Sequence, residues 1–417
     1  MPRFIFFICD GSYNLTMKLF SFTAKYLPYC LPALLIFSRS LADIVVISVV
    51  ILFLAKCFIE KDFSWLHDSW IKAFIVFLAF LVFINSPLSL NPLDSIFYSI
   101  AWVRWPLFAI ALSCWIFIKD DSFNKLFFAI IITFIFFISD LLYQFFINET
   151  GIFGLSTPIH SNRLTVPFSN NVIPGRFLYI FTFIFLSIYF FRQFKFQKKI
   201  NYLFCFSILT FGFLFIFITG ERMSFLIYSS SVLILILGLM FLDNKNIIKT
   251  SIFVLFCLFV VLLGYFFESD IYHRTIISSY EKIIYLFDSD YWQVFTISFE
   301  KFKNNIFIGS GLHQFKMAEP NNISIMHAHN LPLNLMVETG LIGLLLFYNT
   351  IFYIFKDITN KLQKENHFLL LLVVVLLYIC FFPLHTNFSL SHNWINANVW
   401  FVVGMILALA NLTKNRS

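Results

Sequence analysis

The sequence predicts an all-α polytopic membrane protein: about twelve transmembrane helices and one long loop containing short helices. Three observations carry this. Apolar residues make up 60% of the 417 positions and charged residues only 12%, against about half and a quarter in a soluble domain. A spanning helix takes about 20 apolar residues, so this fraction supplies about twelve spans and leaves little for a domain outside the bilayer. The apolar windows are broken repeatedly by Lys, Asp, Asn and Pro, with one wide gap after residue 267. The balance excludes a soluble enzyme, a disordered scaffold and a nucleic-acid partner, and makes membrane lipid the expected surrounding. The 61 phenylalanines are compositional bias, and no function is read from them.

In order, the windows fall near 19–38, 41–59, 70–85, 93–118, 126–147, 171–191, 201–219, 223–242, 247–267, 331–355, 368–384 and 394–412. Twelve is even, so both termini share a side. Placing them in the cytoplasm puts Lys56, Lys61, Lys72, Lys119, Lys125, Arg192, Lys195, Lys198, Lys199, Lys245, Lys249, Lys356, Lys361 and Lys364 in cytoplasmic connections. The opposite short connections carry Arg39, Arg163 and Arg222 and no lysine, which fixes the orientation by the positive-inside rule. The run Phe4 to Cys9 is too short for a signal-peptide core, so the first span is expected to be an uncleaved anchor. The seven cysteines are never spaced C-x-x-C and read as small hydrophobes rather than disulfides or metal ligands.

Arginine and lysine part company across this topology. Six of nine arginines, Arg39, Arg104, Arg163, Arg176, Arg222 and Arg274, fall in the membrane or on the outer side. Arginine retained where lysine is excluded points to bidentate capture of an oxyanion such as phosphate. The bland alternative is pairing with carboxylates or headgroups. Arg104 and Asp140 lie deep in spans four and five and are expected to form a structural ion pair.

The chain divides into residues 1–267, a loop at 268–328 and residues 329–417. Loops this long are functional or disordered, and this one is not low in complexity. Trp292, Phe295, Phe299 and Phe302 recur at helical spacing, with Glu300, Lys301 and Lys303 elsewhere on the turn, which predicts an amphipathic helix on the membrane interface. Asn304-Asn305 and Gly309-Ser310-Gly311 end it. There is no solenoid repeat and no inverted pair of broken helices.

The densest chemistry follows, from His327 to Gly343. Pro332 is tolerated only near a helix start, so span ten should begin at about Asn330, with Asn330 as N-cap. His329 then sits at a helix N-terminus, where the dipole disfavours imidazolium and favours a nearby anion. A neutral histidine beside an anionic ligand suits a general base acting on a hydroxyl. Asn330, Asn334 and Glu338 follow every four residues, a polar stripe that must face the bundle or a water-filled cavity. Gly340 and Gly343 are expected to permit close helix approach. His327-x-His329 lacks a third ligand nearby, so no metal and no other cofactor is expected.

His329-Asn330, nine residues and Gly340-x-x-Gly343 resemble the His-Asn-x9-Gly-x-x-Gly signature of bacterial O-antigen ligases. Gly309-Ser310-Gly311 before Phe315 is similar to the Gly-x-Gly segment of the O-antigen ligase and polymerase superfamily, and Thr219-Gly220-Glu221-Arg222 resembles its Thr-Gly-x-Arg turn. Family members often carry an arginine near the start of the loop helix, where this chain has Asp288-Ser289-Asp290, and Arg274 is the arginine available to replace it.

The resemblance implies a GT-C-like membrane glycosyltransferase of the bacterial inner membrane, its site at the periplasmic face. It would move O-antigen glycan from undecaprenyl diphosphate to a hydroxyl of the lipid A-core oligosaccharide, inverting, without metal or nucleotide. It assigns His329, Arg222 and Arg274 to catalysis. Arg163, Arg176, His327, Asn330, Asn334 and Glu338 are expected to bind substrate. An O-antigen polymerase is the nearest alternative. A transporter or lipid flippase and a structural assembly subunit are rivals from other classes, and oligomeric state is left open.

Overall fold

The computed structural model describes residues 25–147, 150–152, 163–168, 173–195, 201–242, 262, 265, 270–315, 328, 330–362, 367–381 and 389–414. They are helical and turn residues, with no strand among them. Seven helices are long and apolar enough to cross a membrane, and four shorter apolar helices accompany them. Residues 19–24 of the first window, and the window at 247–267 apart from residues 262 and 265, lie outside the described residues.

Helices α1 (Lys25–Phe37) and α2 (Arg39–Glu60) meet at Ser38, whose hydroxyl accepts from Leu41 N at 3.3 Å. Helix α3 (Ser69–Phe80) runs into a π turn at Leu81–Asn85. The fourth window is two helices, α4 (Pro92–Trp102) and α5 (Arg104–Ala111), parted at Val103. Pro106 explains this: it has no N–H for the Trp102 carbonyl, and its ring would clash with it. Next come α6 (Asp120–Phe146), α7 (Pro174–Lys195), α8 (Tyr202–Ile218) and α9 (Arg222–Leu242).

The loop contributes α10, built from Asp270–Tyr272, a π turn at His273–Ile277 and Ser278–Ile284. The amphipathic helix expected there is α11 (Asp290–Asn304), capped by Ser289. Its Trp292, Phe295 and Phe299 rings stack in a row, with centroids 5.2 and 6.2 Å apart. Phe302 turns inward against Phe315, Ala328, Leu333 and Val337. Helices α12 (Leu331–Leu362), α13 (His367–Phe381) and α14 (Asn393–Lys414) complete the bundle.

Lipid sorts these helices. Only 33% of the apolar window of α6 is buried in the protein, with a mean hydropathy of 2.4, whereas 89% of that of α14 is buried, at 1.7. Polar side chains are affordable only where protein can satisfy them: Asn398 donates to Trp394 O at 2.7 Å, and Asn396 to Leu390 O and His392 O, both at 2.9 Å.

Helix α12 breaks at Gly340 (φ 66°, ψ −173°). Residues 306–311 cross the break as a strap and take up the hydrogen bonds it frees. Leu341 N and Ile342 N donate to Ile306 O and Phe307 O, while Ser310 N and Gly311 N donate to Val337 O and Glu338 O. Asn85, fully buried at the end of α3, closes the junction by donating to Ile308 O at 2.7 Å and Glu338 O at 2.9 Å. A Cβ on Gly340 would overlap the Phe307 backbone, and one on Gly309 would stand 2.5 Å from Glu338 C and Gly340 N. The two glycines are therefore halves of one joint. The expectation for Gly340 is corrected accordingly: it admits the loop backbone, where a neighbouring helix was expected.

Candidate functional site

The turn between α8 and α9 is organised by Thr219, whose hydroxyl donates to Ile216 O at 2.7 Å. Gly220 follows at φ 68°, which lets the chain reverse. Glu221 then caps α9, its carboxylate accepting from Ser224 Oγ at 2.6 Å and Gly175 N at 2.8 Å. Arg222 is the first residue of α9, where its charge opposes the positive end of the helix dipole.

Two segments distant in sequence bring further arginines to this turn. Leu164 N donates to Thr219 O at 3.3 Å, and Thr165 N and Val166 N donate to Gln144 Oε1 on α6; this fixes Arg163 beside the turn. Arg274, in the π turn of α10, donates from Nε to Gly220 O at 3.2 Å. The three guanidinium groups lie within electrostatic reach of one another. Burial first, then Arg163 and Arg222, pull Arg274 below the ordinary arginine range to about 10. Burial and then Arg222 lower Arg163, whose buried Nε has no hydrogen-bond partner. Among the described residues no carboxylate lies within salt-bridge distance of Arg163 or Arg222.

Burial raises the Glu221 carboxyl to about 7, against the opposing pull of Ser224, Gly175, Arg176 and Arg163. The rise leaves the cluster with little negative charge to balance it. An anion carrying two or more charges is what this geometry can hold, since it would relieve the mutual repulsion and satisfy donors already fixed in place. Tyr291, in the first turn of α11, lies within electrostatic reach of Arg163 and Arg274. Sequence reasoning passed over Tyr291 and Glu221; the variable position of Thr-Gly-x-Arg was the available signal for Glu221, and nothing local marked Tyr291.

Other expected site residues stand elsewhere. Arg176 is almost wholly enclosed in the first turn of α7, engaged with Tyr179 and facing Glu221. Asn330 caps α12 as expected, accepting from Leu333 N at 2.9 Å. Asn334 and Glu338 are fully buried, which corrects the expectation that they face substrate. Asn334 accepts from Ala328 N at 3.3 Å and donates to Glu338 Oε2 at 3.0 Å, and the Glu338 carboxylate also takes the N–H groups of His313 and Phe315. Their polar atoms are spent on each other and on the backbone of Ala328, His313 and Phe315. His329 and His327 lie outside the described residues. Among the described residues no group of three His, Cys, Asp or Glu side chains could hold a metal.

The expected Arg104–Asp140 pair does not form. Arg104 Nε donates to Asp43 Oδ1 at 3.3 Å, Nη1 to Ala101 O at 2.7 Å and Nη2 to Asn393 Oδ1 at 3.0 Å. Asp140 instead accepts from Ile152 N at 2.7 Å. Depth along two helices does not say which neighbours they keep, and α5 packs against α2 and α14.

The fold and this cluster define a polytopic helical membrane protein built around a turn on which three arginines converge and a broken helix. Residues 204–348, which span the turn, the loop and the break, match the family model described as O-antigen ligase. No curated protein matches the chain.

Proposed function

We propose that the chain is an O-antigen ligase of the bacterial inner membrane, with both termini cytoplasmic and the site at the periplasmic face. It transfers glycan from undecaprenyl diphosphate to a hydroxyl of lipid A-core. The observation that carries this reading is the convergence of Arg163, Arg222 and Arg274 on one turn, with no carboxylate among the described residues within salt-bridge distance of Arg163 or Arg222. Three fixed cations suit a diphosphate leaving group, whose negative charge grows as the glycosidic bond breaks.

His329, next to the helix cap Asn330, takes the proton of the acceptor hydroxyl. The acceptor oxygen forms its bond to the anomeric carbon as the carbon–oxygen bond to the diphosphate breaks, and undecaprenyl diphosphate leaves with the electron pair. One displacement inverts the anomeric configuration, and a product of retained configuration would overturn the scheme. The chemistry needs no metal, because the guanidinium groups supply the electrostatic stabilisation.

The test is transfer in vitro with lipid-linked donor and lipid A-core acceptor, comparing wild type with His329→Ala and Arg222→Ala. Loss in both variants, with folding intact, supports the reading. Undiminished transfer in both would sink it. Disruption of the gene separates ligase from polymerase: loss of a ligase leaves lipid-linked polymer unattached to core, and loss of a polymerase leaves core bearing one repeat unit.

A further inference from the structure

The long loop carries an apolar surface that the arginine turn does not use. Residues 283–287, at the turn from α10 to α11, read Ile-Ile-Tyr-Leu-Phe, and all five side chains are exposed, Ile283 by 70% and Phe287 by 69%. Glu281, Lys282 and Asp288 bracket the run, and no charge interrupts it. Single exposed apolar residues are ordinary, but a contiguous patch marks a surface that something covers.

The patch extends beyond this tip. Phe287 meets Trp292 edge-on with ring centroids 4.8 Å apart, and the row of rings continues through Phe295 and Phe299 to Phe302 at spacings of 5.2, 6.2 and 6.0 Å. Phe302 is its inner end, buried against Leu333 and Val337 of α12, whereas Phe295 and Phe299 stay exposed. Gln293, Glu300 and Asn304 are exposed too, on the other side of the helical turn. Helix α11 thus has one edge on the protein, one polar face and one apolar face left open.

Depth identifies what lies against that face. The strap follows α11 directly, and Ile306 O and Phe307 O accept from Leu341 N and Ile342 N just past the break in α12. Exposed Lys356 is the first cation on α12 and has to reach the far polar boundary. The sixteen residues from Gly340 to Lys356 rise about 24 Å, less than the roughly 30 Å of a hydrocarbon core, and any tilt shortens this depth further. Gly340 and the strap therefore lie below the hydrocarbon edge, with α11 beside it. Phe307 is exposed there, as are Ile342 and Leu345 on the adjoining turns of α12, so the apolar surface of the loop is continuous with the lipid-facing side of the span.

We propose that the α10–α11 hairpin docks in the near leaflet of the membrane that the bundle spans, with residues 283–287 and the rings of Phe295 and Phe299 among the upper acyl chains. The ammonium groups of Lys282 and Lys303 stand 4.9 and 5.0 Å over the Tyr291 and Phe299 rings, and aromatic rings and long cations of this kind sit at headgroup level. The inference requires that the chain span a membrane and does not rest on the ligase reading. Because α10 carries Arg274, the leaflet helps to hold that side chain against Gly220 O.

The test is photolabelling of the full wild-type chain in nanodiscs, one copy in each, with cross-linked residues mapped by mass spectrometry. Two phosphatidylcholine probes are used, one with a diazirine at the glycerol end of an acyl chain and one with it at mid-chain. The mid-chain probe should label Leu345, the glycerol-end probe should label residues 283–287 and Phe295, and neither should label Gln293. An unlabelled tip with Leu345 labelled would overturn the proposal. A tip labelled with one copy in the disc but protected with two would assign the surface to a second copy and overturn it as well. Ile284→Asp combined with Phe287→Asp should cut labelling of the tip about tenfold and leave that of Leu345 unchanged. Undiminished labelling in this variant would mean chance reach of the probe and would also count against docking, while the wild-type pattern decides the matter whether or not the variant folds.

Discussion

The molecule holds its half-buried arginines in two ways. Arg104 is satisfied three times over, by Asp43, Asn393 and the Ala101 carbonyl, and lies over the Trp105 ring at 4.5 Å. Arg163, Arg222 and Arg274 face one another, with Glu221 largely occupied by Ser224 and Gly175. The same residue type serves structure in the first setting and, on the proposed function, holds a ligand in the second. The difference lies in whether a carboxylate stands by: Asp43 does so for Arg104, and among the described residues none lies within salt-bridge distance of Arg163 or Arg222.

The largest effect that would sharpen this contrast is on turnover. Arg222→Ala should cut transfer by about 10²–10³-fold, the usual consequence of removing one group that stabilises transition-state charge, with melting temperature little changed. A variant with near-normal turnover would erase the distinction. Arg104→Ala should do the reverse, leaving Asp43 without its cation and costing about 1–3 kcal/mol of stability, below the full price of a buried pair because both side chains retain some exposure. Thermal unfolding in detergent checks this, and equal stability would show that the pair is ornamental.

Arg163→Ala is the subtler probe. It removes a like charge and a buried donor without a partner, so the ligand-free protein should gain up to about 1 kcal/mol while undecaprenyl diphosphate binds more weakly. A loss of stability resembling that of Arg104→Ala would mean that Arg163 is structural.

The smallest effect concerns pH. Glu221 has a folded pKa of about 7 against 4.5 unfolded, so the native state holds its proton longer. Its contribution to stability is fully present below pH 4.5 and is lost as pH rises through 7. The same proton removes a negative charge beside the arginines, so diphosphate binding should tighten as pH falls from 8 to 6. Glu221→Gln can keep both hydrogen bonds, with Ser224 Oγ turned to acceptor, and should flatten both profiles. An unaltered profile in that variant would place the titration elsewhere.

Much of the scaffold was legible because hydrocarbon imposes a length and a polarity on each span. The ends were less so. Helix α6 begins at Asp120, six residues before its apolar window, and α12 runs on to Leu362. Charged turns continue both helices beyond the hydrocarbon, supported by Asp121–Lys125 and Asp357–Lys361 pairs. The Thr219-to-Arg222 turn was legible because its chemistry is local.

The partner of Arg104 and the burial of Asn334 and Glu338 were hidden, since both depend on which distant segment arrives. A polar stripe descending a helix reads as a lining for water or ligand. Here a loop came back from some twenty residues upstream and used it. Nothing in the spacing of Asn334 and Glu338 distinguishes these cases.

The joint at Gly340 has a wider consequence. Four main-chain hydrogen bonds hold the strap to the broken helix, and they depend on the glycines and hardly on the side chains of Ile306, Phe307 and Ile308. Such a connection behaves as a socket. The segment from Asp270 to Phe315 could therefore be exchanged for that of a distant relative and still seat correctly, provided that Gly309 and Gly340 are kept. The loop could thus diversify by swapping cassettes while the membrane framework stays unchanged.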